Sequence, residues 1–334
     1  RLALQILKAR KRLWPIVSGL VLGLSFASNM PAWSDARILS GEPIQPLSVP
    51  EGLDLRKVEL GRRLFSDPIL SADGSVSCAS CHDLARGGSD HRARSIGIKG
   101  AEGTIRAPSV YNSGFNFVQF WDGRAVSLEV QAAGPITNPL EMGSQWPDLL
   151  KKLTDNPVYG TAFRLVYGKP PSQAAVTDAL ATFERTLVTV NSRFDAYLKG
   201  DRKAISDEER KGYELFVAYG CASCHQGANV GGNMFERFGF MGNYFADRGT
   251  PTQADLGRFN VTGREADRFV FKVPSLRLSA LGGPYFHDGS VADLSAAIQI
   301  MGRYQLGREI PEKDVDRIMQ FLNTLVGKLA QDRT

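Results

Sequence analysis

One pentapeptide occurs twice in this chain, as Cys78-Ala79-Ser80-Cys81-His82 and as Cys221-Ala222-Ser223-Cys224-His225. Two thiols held two residues apart and followed at once by an imidazole form the attachment pattern of c-type haem. The gap presents both sulfurs to the two vinyl groups of one porphyrin, and the next residue sets a nitrogen under its iron. Two other chemistries use paired cysteines, a split zinc site and a thioredoxin-like redox pair. Neither requires a histidine after both pairs, and the separation of 143 positions from Cys78 to Cys221 is far more than a zinc ribbon spans. These four are all the cysteines of the chain, so the motifs leave none for the two disulfides otherwise expected of an exported protein. The pattern therefore predicts two covalently bound haem c groups. Cys78, Cys81, Cys221 and Cys224 are the anchors, and His82 and His225 the iron ligands.

A haem that carries electrons normally has a second strong axial ligand, and methionine raises its potential. Only His91 and His287 remain among the four histidines. Met319 sits among Ile318, Phe321 and Leu322 and reads as core. Met301 ends an apolar helical stretch before Gly302, and its spacing leaves ligand and core packing equally open.

The elements that must position these groups read as helices. Leu53 to Phe65 and Ser206 to Tyr219 have helical periodicity, the second opened by the capping-box pattern Ser206-Asp207-Glu208-Glu209. One long helix is expected over Gln173 to Leu198. Another is capped by Ser290 and runs to Ile300, and a last one starts at Pro311 and ends near Val326. Gly- and Pro-rich stretches between them, such as Gly231 to Pro251, read as loops that wrap cofactors rather than build sheets. The segments before the motifs also match, Gly61-Arg62-Arg63-Leu64-Phe65 with Gly212-Tyr213-Glu214-Leu215-Phe216, and a Gly-Gly pair follows each motif. From glycine to first cysteine is 17 residues in one copy and 9 in the other, so the first carries an insertion. The expected fold is mainly α: two cytochrome c-like haem domains related by internal duplication, residues 35–200 and 201–334, with long loops around the haems.

Of 334 residues, 43% are hydrophobic and 22% charged, an ordinary globular balance that excludes a disordered or collagen-like chain. The formal charge of +5 resides in residues 1–34, where Arg1, Lys8, Arg10, Lys11 and Arg12 stand without an acid. The remaining 300 residues carry 35 basic and 35 acidic side chains, which gives no basic footprint for nucleic acid. The basic cluster precedes an apolar run from Trp14 to Ala27 that is shorter than the roughly 20 residues needed to span a bilayer. Residues 1–34 thus read as a secretory signal, with cleavage near Ala32-Trp33-Ser34 and an uncleaved anchor as the alternative. The expected location is the periplasm.

Longer motifs extend the reading. They include Phe120-Trp121-Asp122-Gly123-Arg124-Ala125, Leu128-Glu129-Val130-Gln131 and Pro135-Ile136-Thr137-Asn138-Pro139-Leu140-Glu141-Met142. Further along are Phe271-Lys272-Val273-Pro274-Ser275-Leu276-Arg277, Pro284-Tyr285-Phe286-His287-Asp288-Gly289-Ser290 and Ile300-Met301-Gly302. Over Leu55 to Gly327 the chain resembles the bacterial dihaem cytochrome c peroxidases, with the MauG enzymes as a related branch. The resemblance implies a peroxidatic N-terminal haem and a C-terminal haem that receives electrons. It puts Trp121 between them, Gln131, Glu141 and Pro135 in the distal pocket, and Met301 as second ligand of the C-terminal iron. A distal carboxylate such as Glu141 can move a proton between peroxide oxygens, and Gln131 can orient peroxide by hydrogen bonds. The plainer readings are a satisfied buried amide for Gln131 and core packing for Trp121. Arg124 and Arg277 read as partners of haem propionates or as surface salt-bridge formers, and His287 as a structural hydrogen-bonder.

Two positions depart from the family pattern. Where many members have a histidine that caps the resting peroxidatic iron, this chain has Ile98 in Ser95-Ile96-Gly97-Ile98, which leaves an open site unless His91 substitutes. The asparagine of the family's calcium site is replaced by Arg106, whose guanidinium can stand in for calcium by bonding the same carbonyls, near Gly282 and Pro284. Calcium is accordingly doubtful. The leading expectation is an exported peroxidase that reduces hydrogen peroxide with electrons from a small c-type cytochrome or cupredoxin, with a homodimer left open. The alternatives are a MauG-like oxidase acting on tryptophans of a partner protein, favoured by Ile98 and disfavoured by Met301, and a non-catalytic electron carrier.

Overall fold

In the computed structural model, residues 41–329 are described, and the expected signal over residues 1–34 lies outside them. Twelve α-helices are described. In the first half they are α1 Leu55–Ser66, α2 Cys78–Cys81, α3 Leu128–Thr137, α4 Trp146–Asp155, α5 Pro157–Tyr167, α6 Gln173–Glu184 and α7 Arg193–Leu198. The rest are α8 Asp207–Tyr219, α9 Tyr244–Arg248, α10 Phe259–Thr262, α11 Leu294–Ile300 and α12 Glu312–Thr324. Most are short, and long irregular segments with single 3₁₀ turns join them.

Local chemistry explains where the helices begin. Ser206 caps α8, its side chain accepting from the Glu209 N–H while the Glu209 carboxylate accepts from the Ser206 N–H. Gly220 ends α8 in the left-handed conformation, φ +98°. The single long helix expected from Gln173 to Leu198 is two helices. Residues 186–190 are Thr-Leu-Val-Thr-Val, a β-branched run that disfavours helix, and Ser192 caps α7 by accepting from Asp195 N–H. Asp293, not Ser290, caps α11, since its carboxylate accepts from Ala296 N–H. Pro311 is itself the N-cap of α12. The Gly- and Pro-rich stretch also builds a small sheet, against expectation. Strand β1, Phe235–Arg237, pairs antiparallel with β2, Val270–Lys272, in the register Phe235 to Lys272, Glu236 to Phe271 and Arg237 to Val270.

Two hydrophobic clusters organise the packing. One joins residues between Leu60 and Leu187 with Leu329; the other joins Ile44 with residues between Phe194 and Leu325. Each half sends a terminal residue into the other's cluster, and the described residues fall within one compact unit.

In each cluster a helix carrying a glycine crosses a later helix at very short range. A Cβ on Gly61 of α1 would lie 1.9 Å from the Ala179 carbonyl oxygen and 2.8 Å from Phe183 Cβ in α6. A Cβ on Gly212 of α8 would lie 1.9 Å from the Arg317 carbonyl oxygen and 3.0 Å from Phe321 Cβ in α12. The backbones touch because nothing stands between them. Gly212→Ala should force the pair apart at about 1–3 kcal/mol, read as a lower denaturant midpoint for the holoprotein. An unchanged midpoint would show that α8 and α12 separate freely.

Candidate haem-binding and peroxidatic site

Both pentapeptides fold alike. Cys78 to Cys81 make one helical turn, and the His82 N–H donates to the Cys78 carbonyl at 2.9 Å. Cys221 to Ser223 make a 3₁₀ turn, and the His225 N–H donates to the Cys221 carbonyl at 3.0 Å. The Gly-Gly pairs that follow take positive φ, +79° and +77° at Gly87 and Gly88 and +128° and +73° at Gly231 and Gly232. These turns bring chain back over each histidine, and the Gly88 carbonyl faces His82 Nδ1 at 3.2 Å.

One cavity of about 660 Å³ is lined by both motifs. Trp121, Arg124, Gln131, Pro135, Glu141 and Met301 line it too. The donors fit haem. None of the four cysteines is in a disulfide, and burial raises the thiols, Cys78 to about 12 and Cys221 to about 11. Burial also lowers both imidazoles, His225 to about 4, which keeps them neutral with a lone pair to give. His225 Nδ1 is buried without a hydrogen-bond partner. With haem bound, His82 and His225 would hold the irons, and Met301 would be available as a further donor.

Gln131, Pro135 and Glu141 come from α3 and the loop after it. Pro135 interrupts the ladder of α3, and the chain folds back so that Met142 N–H reaches the Pro135 carbonyl and Ser144 N–H the Ile136 carbonyl. That fold-back carries Glu141 to the cavity wall. Burial raises the Glu141 pKa, opposed by the Asn138 amide, which donates to Oε1 at 2.6 Å, and by the charge of Arg124. Arg124 itself is held by Asp122 and lies 3.5 Å over the Phe120 ring. The loop with Ile98 clasps the same segment: Ile98 N–H donates to the Glu141 carbonyl at 2.8 Å, and the Ile98 side chain is buried against Gly143.

Met301 begins a π-helical turn, Met301–Gln305, directly after α11. Such turns rotate a side chain off its helix face and recur at functional sites. Met319 packs into the second hydrophobic cluster.

Trp121 is fixed at both ends. Its indole N–H donates to the Arg106 carbonyl at 3.0 Å, and its own carbonyl accepts from Lys272 N–H at 2.8 Å. His287 stands edge-on beside it, ring centroids 6.4 Å apart, and bonds Asp255 at 2.7 Å. Asp255, His287 and Asp288 form the one metal-type donor cluster among the described residues. Arg248 bridges both carboxylates, which makes the cluster an ion-pair network.

Three expectations change. Arg277 is neither a surface ion-pair former nor a cavity residue; it is fully buried and donates to Asp195, Ala228 O and Gln45 O. His91 does not aim a nitrogen at iron, since both ring nitrogens meet carbonyls, Gly283 at 2.9 Å and Arg86 at 2.6 Å. The Arg106 guanidinium bonds no carbonyl near Gly282 or Pro284; its Nε is buried and unpartnered. Asn138 and the buried Glu184 and Lys272 line the cavity and were not singled out from sequence. Only the fold reveals them, although Asn138 lies three residues before Glu141.

The family description "Di-haem cytochrome c peroxidase" matches residues 55–203. The cytochrome c551 peroxidase of Nitrosomonas europaea is 46% identical over 311 residues, 92% of this chain and 89% of that protein. The chain belongs to the dihaem cytochrome c peroxidase family. Cytochrome c peroxidase Ccp of Escherichia coli is 48% identical over 86% of this chain, which spans 61% of that relative's length. A solved MauG-like protein associated with microbial copper homeostasis superposes with TM-score 0.74 at 27% identity, over 90% of this chain and 95% of that one. A dihaem cytochrome c peroxidase with this cavity should lose one haem at a time. Cys221→Ala with Cys224→Ala should halve the covalent haem per chain in a pyridine haemochrome assay; unchanged haem would exclude that motif as an anchor.

Proposed function

We propose that this chain reduces hydrogen peroxide to two waters, drawing two electrons singly from a small c-type cytochrome or cupredoxin and two protons from solvent. Bound haem supplies the iron that takes up peroxide and the redox equivalents that cleave its O–O bond. The residues of this chain supply the rest. The observation that carries the reading is a partly buried carboxyl, Glu141, on the wall of the cavity that His82 lines. As a carboxylate, Glu141 accepts the proton of one peroxide oxygen and returns it to the other, which leaves as water. Gln131 orients the substrate, and Asn138 holds the carboxylate to its task. Electrons arrive on the His225 and Met301 side and cross by Trp121.

Two helix pairs with matching glycine contacts, and matching motif turns, support an internal duplication with one haem lobe on each side of Gly200. The basic and then apolar composition of residues 1–34 supports export to the periplasm, where c-type haem is attached. No helix among the described residues is long and apolar enough to cross a membrane. The buried Arg106 charge opposes calcium at its side of the cavity.

The MauG-like reading draws on Ile98 and on the likeness to a MauG-like structure, and Met301 weighs against it. A plain electron carrier has no use for an acid–base group on the cavity wall. Glu141→Gln should lower peroxide turnover about 10²–10⁴-fold while both haems still reduce. In the wild type, turnover should fall on the acid side through a pKa above the ordinary carboxyl value of 4.5, because Glu141 must be ionised to accept a proton. Unchanged turnover in the variant removes Glu141 from the reaction. Ile98 offers no ligand and His91 is engaged elsewhere, so the fully oxidised protein should show a high-spin ferric signal in electron paramagnetic resonance and turn over without pre-reduction. A purely low-spin spectrum would rule out the open site.

A further inference from the structure

Two cations on the cavity wall make no ion pair among the described residues, although the charge of Asp90 acts on Arg106 from a distance. Lys272 on β2 is buried at 8% exposure and lines the cavity, yet its ammonium has no hydrogen bond or ion pair among the described residues. Its cross-strand neighbour is Phe235, which offers none. Desolvation alone pulls its pKa down to about 8, so the site as folded from protein atoms strains against the charge it holds. Arg106 also lines the cavity, with Nε buried and unpartnered. A buried charge without a bonded counterion is costly, and a chain that keeps Lys272 so placed, with Arg106 Nε unpartnered beside the same void, has something of opposite sign to put there. Both are tied through their backbones to the same residue: the Lys272 N–H donates to the Trp121 main-chain carbonyl, and the Arg106 carbonyl accepts from the Trp121 indole N–H.

We propose that Lys272 and Arg106 are the countercharges of haem propionates at the two ends of Trp121, and that they set the redox potentials of the haems whose carboxylates they neutralise. This rests on the reading that two haems fill the cavity. Arginine and lysine are suited to the role because each makes charge-assisted bonds to carboxylates in a dry setting. A fixed cation beside a haem favours the ferrous state, which has one positive charge fewer, and so raises the potential. Neither residue is a catalytic residue; both act by position.

The test uses purified holoprotein of the wild type, Lys272→Met, Lys272→Arg and Arg106→Gln. Haem per chain is counted first by pyridine haemochrome absorbance; fewer than two in the wild type would fail the underlying reading rather than this one. Spectroelectrochemical titration then reads each haem. Lys272→Met should lower the midpoint potential of a haem, Lys272→Arg should return it to the wild-type value, and Arg106→Gln should lower a potential independently. Thermal unfolding gives a second readout with opposite signs for the two cases. A lysine paired with a propionate makes Lys272→Met less stable, whereas a lysine with no partner makes the same variant more stable, because an uncompensated buried charge has been removed. Wild-type potentials in Lys272→Met and Arg106→Gln, with melting unchanged or raised in Lys272→Met, would overturn the proposal.

Discussion

Burial of two imidazoles governs much of what this chain can do. His82 and His225 lie inside a largely apolar cavity, where the charged form is disfavoured and the neutral ring keeps a lone pair. A protonated ring cannot ligate iron, so dryness is a requirement of the site. The same dryness acts on every other polar group along the wall. It raises the Glu141 carboxyl and lowers the Lys272 ammonium, so acid–base and electrostatic character follow from one physical cause.

Keeping such a cavity dry while two motifs open into it demands tight walls, and glycine supplies them twice. Without a side chain at Gly61 and Gly212, each motif-bearing half can press its two main helices backbone to backbone. The two motifs sit on short turns between them. Trp121 stands where these demands meet, braced by Arg106, Lys272 and the ion-pair network behind His287.

Covalent chemistry is the part of this site most legible in sequence. A motif of five residues proposes its own anchors and ligand, and the structure opens both Cys78 to His82 and Cys221 to His225 on one cavity. Helix starts with strong caps, such as Ser206 with Glu209, were equally readable. The break after Glu184 was not, because its apolar residues keep a helical spacing while Thr186, Val188 and Val190 undo it. Nor could sequence separate Arg277 from Arg106. Both are arginines among loop residues, and only the fold shows that one is surrounded by acceptors and the other lacks them. His91 shows the same limit, since a ring is committed or free according to carbonyls that no sequence pattern displays.

The acceptor of the Trp121 indole N–H is a backbone carbonyl. A carbonyl accepts a hydrogen bond but is far too weak a base to take the proton. An electron withdrawn from this ring would therefore leave it positively charged, with no way to relax into a long-lived neutral radical by deprotonation at that nitrogen. Such a ring is a poor store of oxidation. Where a tyrosine hydrogen-bonded to a carboxylate would make a trap, this indole would not.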